Sequence, residues 1–526
     1  MMWLNSISVV LLAAASVSPM LTSLHLYQMK EWRLDRLLDH LRSEGYIRQL
    51  FGTTRPTVLA IWAVAWLGLL TFGYGESESI WLLALGILLC AISCLQVMRR
   101  SQPFPVWTVK AISIAAITVI ISLEIIIAGV FGPSIDVSLE TWVIFAILVP
   151  FTQPFIAAFA WALLSPLDKL LKYRVMNRAK LIREAHPNLT VIGITGSVGK
   201  TTTKELVKHL LKGRDTKATP MHVNTEMGVA KWLTKTLENE PKESKKILIV
   251  EMGAYKKGEI ALLCSICKPT IGILTFVGRQ HLALFGSERN IAEAKGELLA
   301  SLPKNGRGFV NADSPLIDVL KSLAASPLTL CGSGHGSDVS AVDIEETSTG
   351  IRFRAFETVF EAPLAGTHMV TNIMLAIGAA KELGMRNEEI QKSLKTFTAF
   401  ERTFAVRKEN GVTILDNTYN ASPEGFQAAI EWASRQPNAE KILLCDGVIE
   451  LGDDEARIHA EIAKRAAAVF KKVYVVHERF LPYFRPSFGS RATSALDHQE
   501  TVPAGSLLVC IGRMPSSLVN RFVPKN

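Results

Sequence analysis

The stretch Gly193–Thr203 constrains the fold more than any other part of this sequence. It reads Gly-Ile-Thr-Gly-Ser-Val-Gly-Lys-Thr-Thr-Thr. The apolar run Leu189–Ile194 predicts a buried strand before the glycines, and Lys204–Leu211 predicts a helix after them. Strand, glycine-rich turn, Lys-Thr and helix form the layout of a phosphate-binding loop. The layout therefore predicts an α/β sheet that binds a nucleotide at the carboxyl ends of its strands.

The residue types in this loop suit phosphate chemistry. Glycines let backbone N–H groups close on phosphate oxygens, and the helix N-terminus adds a partial positive charge. Lys200 can reach the outer phosphates of ATP, and the Thr201 hydroxyl can bind Mg²⁺. The general pattern has glycine where this chain has Ile194, so a turn that merely contains Gly-Lys-Thr is the alternative.

The first third of the chain is apolar enough to predict a membrane domain over residues 1–168. The chain is 49% apolar, and the excess lies in five runs close to the roughly 20 residues that a spanning helix needs. The first run has no leading basic cluster, so it does not resemble a cleaved signal peptide. We therefore predict five spans: Trp3–Leu24, Thr57–Tyr74, Ile80–Met98, Ala111–Phe131 and Thr141–Leu164.

The basic residues predict the orientation of these spans. The net charge is +9, and many of the cations flank the apolar runs. The connections near Glu76–Glu78 and Asp136–Glu140 hold no Lys or Arg. The positive-inside rule then places the N-terminus outside and the chain after Leu164 in the cytosol, behind a basic linker at 169–188. The cations between and after the runs are Lys30, Arg33, Arg36, Arg42, Arg48, Arg55, Arg99, Arg100, Lys110, Lys169, Lys172, Arg174, Arg178, Lys180 and Arg183.

Membrane lipid is the partner that this charge distribution predicts, and nucleic acid is not expected because no basic-aromatic stripe is present. The amphipathic segment Gln28–Leu41 suits the cytosolic membrane face or a tight helical hairpin. Glu124 lies inside the fourth run and is either functional or a packing contact. The seven scattered cysteines, including Cys264 and Cys267, predict core residues rather than a disulfide framework or a metal site.

Beyond residue 188, strands alternate with helices. This predicts a doubly wound central domain at 189–400 and a smaller α/β domain at 401–526. Short antiparallel strands are expected around the Ser348–Gly350 turn. The predicted strands are Thr190–Thr195, Ile247–Glu251, Ile271–Phe276, Gly308–Asn311, Val412–Asp416, Ile442–Cys445, Lys472–Val476 and Ser506–Cys510. The predicted helices are Thr203–Leu211, Gly228–Leu237, Glu259–Ile266, Glu288–Ala300, His368–Leu383, Asn387–Thr396, Pro423–Arg435 and Asp454–Phe470.

Polar residues follow several of these strands. Glu251 ends one strand, His281 follows another, and Lys295 lies on the next helix. A carboxylate and an imidazole beside a triphosphate suit Mg²⁺. Taken singly, a solvated glutamate, a loop histidine and a surface lysine are the simpler interpretations.

Taken together, these motifs resemble the Mur ligases, which build the peptide of peptidoglycan precursors. The resemblance covers residues of about 190 to 480 and is greatest to the D-alanyl-D-alanine-adding branch. It accounts for Ile194, because that family lacks the first glycine of the loop. The motifs are Thr195–Thr202, Asn224-Thr-Glu-Met-Gly228, Glu251-Met-Gly-Ala, His281 with Phe285-Gly-Ser, Ala292-x-Ala-Lys295-x-Glu297, Asn311-Ala-Asp313, Gly366-x-His368-x-Val-x-Asn372, Asp416-x-x-Tyr419-Asn420-Ala421-x-Pro423, and Asp446 with Glu450-Leu-Gly452.

The resemblance implies ATP and Mg²⁺ as cofactors and a role for each motif. The loop Thr195, Gly196, Ser197, Val198, Gly199, Lys200, Thr201 and Thr202 would bind the phosphates. Thr201 and Glu251 would hold Mg²⁺, His281 would serve a second Mg²⁺, and Lys295 would be carbamylated into a metal ligand. Asn311 would lie near the adenine, as would His368 or Asn372. The C-terminal domain would bring further residues to the nucleotide when the domains close: Arg402, Asp416, Tyr419 and Asn420.

The implied reaction is amide formation in two steps. A substrate carboxylate takes the γ-phosphate of ATP and becomes an acyl phosphate, and an amine then displaces phosphate. The five runs stand where the family usually has its UDP-sugar-binding domain, so the acceptor is expected to be either a UDP-linked small molecule or a lipid-linked peptide. Departures at Ala283, Met369 and Cys510–Arg513 leave D-alanyl-D-alanine open as the amine. The alternatives are a poly-γ-glutamate-type polyamide ligase and, from another class, a membrane transporter or regulator with a phosphate loop. The oligomeric state is not predicted.

Overall fold

The fold is that of a computed structural model, which describes residues 2–71, 78–99, 102–131, 139–333, 336–347, 350–398, 402–497 and 501–524. The chain divides into two compact units, Met1–Lys172 and Tyr173–Asn526. Parts of some predicted features lie outside the described residues: the end of the second apolar run, most of the two acidic connections, Arg100, and the Ser348-Thr349 turn.

The first unit is built from helices. In chain order they are α1 (Met2–Met29), α2 (Leu34–Glu44), α3 (Tyr46–Phe51), α4 (Thr54–Thr71), α5 (Glu78–Met98), α6 (Val109–Phe131) and α7 (Leu139–Glu184), the last of which continues into the second unit. Leu12 of α1, Leu89 of α5 and Ile126 of α6 pack in one apolar cluster. The amphipathic segment after α1 turns at residues 30–33 and continues as α2.

Three stretches of the described helices are long and apolar enough to cross a membrane, judged by length and composition. They are Val9–Met29, Val109–Ala128 and Leu148–Glu184, and Ala84–Met98 is a shorter apolar stretch. Each of the five predicted runs overlaps one of the helices α1, α4, α5, α6 and α7. The structure thus supports fewer candidate spans than the five predicted, and Glu124 lies on the exposed side of α6.

The second unit contains a parallel seven-stranded sheet, a mainly parallel six-stranded sheet and a small antiparallel sheet. The first sheet has the order β2-β3-β1-β4-β5-β6-β7, and every pairing in it is parallel. Its strands are β1 (Thr190–Thr195), β2 (Thr216–Ala218), β3 (Ile247–Glu251), β4 (Ile271–Leu274), β5 (Arg307–Asn311), β6 (Leu328–Gly332) and β7 (Val339–Ser340). Its helices are α8 (Lys200–Leu210), α9 (Glu226–Leu237), α10 (Glu259–Cys267), α11 (Leu282–Phe285), α12 (Glu288–Ala300), α13 (Ile317–Ser322), α14 (Met369–Glu382) and α15 (Asn387–Leu394).

Helices cover both faces of this sheet, which explains the continuous apolar runs of its strands. Ile192 and Ile194 belong to one buried cluster and Val191 to another, on the opposite face. Cys264 and Cys267 are buried on α10 with pKa values raised by burial, which confirms that they are core residues.

The antiparallel sheet predicted around residue 350 is confirmed as β8 (Val342–Thr347), β9 (Gly350–Ala355) and β10 (Thr358–Ala362). The last sheet has the order β11-β12-β16-β13-β14-β15, and only the β11–β12 pairing is antiparallel. Its strands are β11 (Ala405–Glu409), β12 (Val412–Asn417), β13 (Lys441–Cys445), β14 (Lys472–Val475), β15 (Ala492–Ser494) and β16 (Leu507–Ile511). Its helices are α16 (Pro423–Arg435), α17 (Glu455–Ala467), α18 (Leu481–Phe488) and α19 (Ser516–Phe522). The sequence predicted neither the short edge strands β2 and β15 nor β6 and β11.

Candidate functional site

The glycine-rich loop connects β1 to α8 at the centre of the seven-stranded sheet, as predicted. Gly196 and Gly199 have φ angles of +146° and +88°, which favour glycine. A Cβ at Gly199 would lie 2.6 Å from Asn372 Oδ1 of α14. The loop is fixed to the end of β4, because Ser197 N donates to Phe276 O (2.8 Å) and Thr275 Oγ1 donates to Val198 O (2.7 Å). The backbone is therefore already held in the shape that a phosphate-binding loop requires.

Lys200 begins α8 and folds back over the loop. Its Nζ donates to the carbonyl oxygens of Gly196 (2.7 Å) and Ser197 (2.9 Å). Burial lowers the pKa of this amine below its usual value, and the charge of Glu251 opposes that shift. The ammonium thus lies at the mouth of the loop, where incoming phosphate oxygens could replace the two carbonyl acceptors.

Glu251 is the acidic centre of the site. Its strand pairs with β1 so that Glu251 lies opposite Ile194, next to the loop. Its carboxylate accepts hydrogen bonds from Thr201 Oγ1 (3.0 Å) and Asn224 Nδ2 (3.3 Å). Lys204 Nζ, fully buried on α8, is 3.3 Å from the same carboxylate. No role was predicted for Lys204, whose only signal in the sequence is its position one turn after Lys200.

The oxygen atoms of Thr201 and Glu251 are suited to bind Mg²⁺. No group of three or more His, Cys, Asp or Glu side chains in the described residues forms a ready metal site. A hydroxyl and a carboxylate oxygen in contact are nevertheless the ligands that Mg²⁺ uses when phosphates and water complete its octahedron. Thr201 and Glu251 are therefore suited to hold the ion together with a nucleotide.

Lys295 is buried on α12 and is not the surface lysine that its position alone suggested. It is 3% exposed, and its Nζ donates to Ala254 O (3.1 Å), three residues after Glu251. Burial, followed by the charge of Lys200, lowers the pKa of Lys295 to about 7. A substantial fraction of this amine is therefore neutral, and hence nucleophilic, near neutral pH.

His281 lies between the seven-stranded sheet and the six-stranded sheet. It has a left-handed backbone (φ +63°), and its ring packs edge-on against Tyr255 with centroids 4.7 Å apart. Its Nδ1 hydrogen-bonds Glu450 Oε2, and burial lowers its pKa. The structure thus gives His281 a carboxylate partner that the sequence had not paired with it.

A cavity of about 830 Å³ adjoins the loop. Three of the residues expected near the nucleotide line it: Asn311, His368 and Asn372. Phe404, which the sequence did not single out, also lines it and packs edge-on against His368 with centroids 4.4 Å apart. The polar side chains and the aromatic ring that line this cavity suit a nucleoside.

The remaining predicted nucleotide residues do not line this cavity. Asp416 pairs with Arg407 (2.8 Å) and accepts a hydrogen bond from Thr418. Arg402 donates to the carbonyl oxygens of Thr418 (3.0 Å) and Met514 (2.5 Å). The contacts of these two side chains thus stay within the part of the chain that forms the six-stranded sheet.

Tyr419 reaches towards the first sheet, and Asn420 follows it, half-buried, before α16. The Tyr419 hydroxyl bonds His222 Nδ1 (3.2 Å), and the two rings stack with centroids 5.4 Å apart. Burial and the charge of Glu251 raise the pKa of Tyr419. Among the loop residues, Val198, Gly199 and Thr202 line the cavity, and Thr195 Oγ1 donates to Met252 O.

Comparison with known proteins gives this architecture a family. Residues 194–380 match the Mur ligase middle domain, and residues 401–502 match the Mur ligase glutamate ligase domain. This chain carries both of these Mur ligase domains. We call them the Mur middle domain and the Mur C-terminal domain.

Curated relatives of the two Mur domains share one name. The UDP-N-acetylmuramoyl-tripeptide–D-alanyl-D-alanine ligase of Synechocystis is 34% identical over 282 residues, and that of Bacillus subtilis is 32% identical over 277. These alignments cover 53% and 52% of this chain and 60% and 59% of the relatives. The chain thus spans about 60% of the length of these relatives.

Solved structures show the same fold. MurF ligase from Thermotoga maritima in complex with ADP is 29% identical, with a TM-score of 0.56 over 66% of this chain and 82% of that one. MurF from Acinetobacter baumannii has a TM-score of 0.60 over 67% and 80%, and its 24% identity supports the fold alone. The Mur domains of this chain are thus similar to those of MurF.

Proposed function

We propose that this protein is an ATP-dependent amide ligase of the Mur type, anchored in the cytoplasmic membrane by its N-terminal helices. The observation that carries the proposal is the contact between Thr201 and Glu251 at 3.0 Å, beside the Lys200 ammonium. This contact brings the phosphate-binding and Mg²⁺-binding groups to one point at the edge of the sheet. The similarity to MurF in complex with ADP supports a nucleotide there.

The residues divide the chemistry between them. Lys200 and the loop N–H groups neutralise the γ-phosphate while a substrate carboxylate oxygen attacks it and ADP leaves. Thr201 and Glu251 would hold a Mg²⁺ ion, which would supply further positive charge when bound. An amine nitrogen then attacks the acyl carbon, inorganic phosphate leaves, and the nitrogen loses a proton to complete the amide. Catalysis rests on positioning and charge neutralisation, as phosphoryl transfer generally does.

The burial of Lys295 also supports a ligase of the Mur type. Its amine is buried behind the loop and reaches the Ala254 carbonyl on the segment that follows Glu251. Addition of CO2 to the neutral amine, with loss of a proton, would form a carbamate and so turn this side chain into a carboxylate-like oxygen ligand. A membrane transporter or regulator has no use for a lysine buried there, and this makes that alternative the weaker one.

The adenine end of ATP fits the cavity beside the loop. Asn311, His368 and Asn372 supply polar groups to its wall, and Phe404 supplies an aromatic face. Arg402, Asp416, Tyr419 and Asn420 do not line this cavity, and the resemblance to Mur ligases assigns them to the nucleotide when the two Mur domains close. His281 would take part in a second Mg²⁺ site only after exchanging its Glu450 partner.

The three apolar stretches and the basic residues beside them support membrane anchoring. The positive-inside rule places the Mur domains in the cytosol, where ATP is available. We propose a step of peptidoglycan precursor synthesis, with D-alanyl-D-alanine or a related amine as the second substrate. The names of the curated relatives support this choice.

The acceptor is tested with full-length protein purified in detergent. ADP release and product mass are followed with UDP-linked and with lipid-linked muramoyl peptides, each with and without D-alanyl-D-alanine. Turnover with only the lipid-linked acceptor would make the helical unit part of substrate binding, whereas turnover with the UDP-linked acceptor would make it an anchor. Glutamate addition to a growing chain would favour the poly-γ-glutamate-type alternative.

A further inference from the structure

The N-terminal unit buries a group of polar side chains among its apolar helices. At its centre is Arg55, in the first turn of α4, which is 8% exposed. The group, which we call the Arg55 cluster, consists of Ser18 of α1, Arg55, Gln96 of α5 and Gln102. Polar groups are costly inside a helical bundle that faces lipid, so such a cluster needs a reason.

Hydrogen bonds hold the cluster together. Arg55 Nη2 donates to Ser18 Oγ (2.6 Å) and to Gln96 Oε1 (2.5 Å). Ser18 is fully buried and also contacts Gln102 Oε1. The guanidinium of α4 therefore contacts helices α1 and α5 directly, and the segment after α5 joins the cluster through Ser18.

This guanidinium is not neutralised by a carboxylate. Among the described residues, its acceptors are a hydroxyl and an amide oxygen, and no acidic side chain lies within ion-pair distance. Both contacts use Nη2, whereas a guanidinium has five N–H donors over three nitrogens. A buried cation without a counter-ion is destabilising, so the charge favours an anion at this place.

Two further kinds of donor belong to the cluster or lie beside it. In the first turn of α4, Thr54 and Arg55 carry backbone N–H groups that have no partner within the helix, whereas Pro56 has none, and the helix N-terminus carries partial positive charge. Gln102 is 9% exposed, and its Nε2 is buried without a hydrogen-bond partner. A guanidinium, an amide N–H and a helix N-terminus are the groups that bind phosphate oxygens.

We propose that the Arg55 cluster binds a phosphate or diphosphate monoester, carried by a membrane lipid at the cytosolic side of the helices. The basic residues near the start of α4 and the end of α5 place both on that side under the positive-inside rule. The site lies outside the Mur domains, and its existence does not depend on the ligase reaction.

The test is equilibrium binding of farnesyl diphosphate to full-length protein in neutral detergent. Saturating ADP is present so that the phosphate loop is occupied and is not counted as the site. Wild-type protein should bind farnesyl diphosphate saturably and at least tenfold more tightly than farnesol, which has the same tail without the phosphates. Pyrophosphate that competes equally well would identify a free anion as the ligand, and failure to compete would identify the lipid-borne group.

Variants locate the site. Arg55→Gln should weaken farnesyl diphosphate binding at least tenfold, and Arg55→Lys should weaken it less, because the charge remains while the planar fork is lost. Arg48→Gln removes the same charge from an exposed position of α3 and should leave binding unchanged. Equal binding of farnesol and farnesyl diphosphate to the wild type would overturn the proposal, and so would unchanged binding in a folded Arg55→Gln protein. If Arg55→Gln fails to fold, the comparison of farnesyl diphosphate with farnesol on the wild-type protein still tests the proposal.

Discussion

Glu450 of the Mur C-terminal domain hydrogen-bonds Nδ1 of His281 in the Mur middle domain. The backbone reinforces this contact, because Ala283 N donates to Glu450 O at 3.1 Å. Glu424 adds a second bridge by accepting a hydrogen bond from Arg279 N at 2.9 Å. The two domains are thus joined close to the residues that would bind Mg²⁺ and phosphate.

We predict that Glu450→Gln weakens closure of the two Mur domains. A hydrogen bond to a charged group contributes about 1.5–3 kcal/mol, so the closed population should fall about tenfold or more. The measurement is the KM for ATP, which should rise while the unfolding temperature changes little. Glu478→Gln, at an exposed position of the same domain, is the control. An unchanged KM would show that the contact does not contribute to closure.

Lys204→Met should destabilise the protein in the absence of divalent metal. The variant leaves the buried Glu251 carboxylate without its nearest cation, and breaking a buried pair costs about 3–5 kcal/mol. Mg²⁺ with ADP should restore more of the unfolding temperature in the variant than in the wild type, because the ion replaces the missing charge.

Lys208→Met is the matched control for that experiment. Lys208 is exposed one turn further along α8, and among the described residues its ion-pair partner is Glu205. Its loss should not change the response to Mg²⁺. Equal stabilisation of all three proteins by Mg²⁺ with ADP would contradict an electrostatic role for Lys204 at Glu251.

Gly199→Ala should abolish nucleotide binding. The alanine Cβ would lie 2.6 Å from Asn372 Oδ1, and φ is +88°. Gly213→Ala separates backbone strain from the steric clash. Its φ is +105°, so the backbone is strained, but among the described residues no atom lies within 4 Å of the new Cβ. ADP titration should show loss of binding in the first variant only. Normal binding by Gly199→Ala would mean that the loop does not hold the phosphates.

The reactivity of Lys295 should depend on pH in the neutral range. Its folded pKa of about 7 lies below the ordinary lysine value of 10.5, so labelling of the metal-free protein by an amine reagent should have its midpoint near pH 7. The unfolded chain binds the proton more tightly, so this residue makes stability rise with pH between about 7 and 10.5. Lys295→Met should remove that part of the pH dependence. A labelling midpoint near 10 would contradict the burial seen here.

The sequence predicted the parts of the site that depend on strand order and local motif. Glu251 and the phosphate loop were expected together because each ends a parallel strand, and β1 and β3 prove to be neighbours. Lys204 could not be assigned, because a lysine on an amphipathic helix is usually solvated and only tertiary packing buries it.

The pairing of His281 with Glu450 could not be predicted from the sequence either. The two residues are 169 positions apart, and their contact depends on how two separate sheets pack. For the same reason the sequence could not show that Arg402 bonds Met514 O or that Asp416 pairs with Arg407. A motif shows that a residue matters, but its partner is set by tertiary geometry.

The measurement that tests the central claim most directly is ATP turnover by full-length protein with an acceptor peptide and D-alanyl-D-alanine, comparing wild type with Lys295→Ala. The account predicts that the wild type forms one amide product for each ADP released and that the variant loses most of this turnover. Acceptor-independent ADP release that Lys295→Ala leaves unchanged would contradict the ligase assignment.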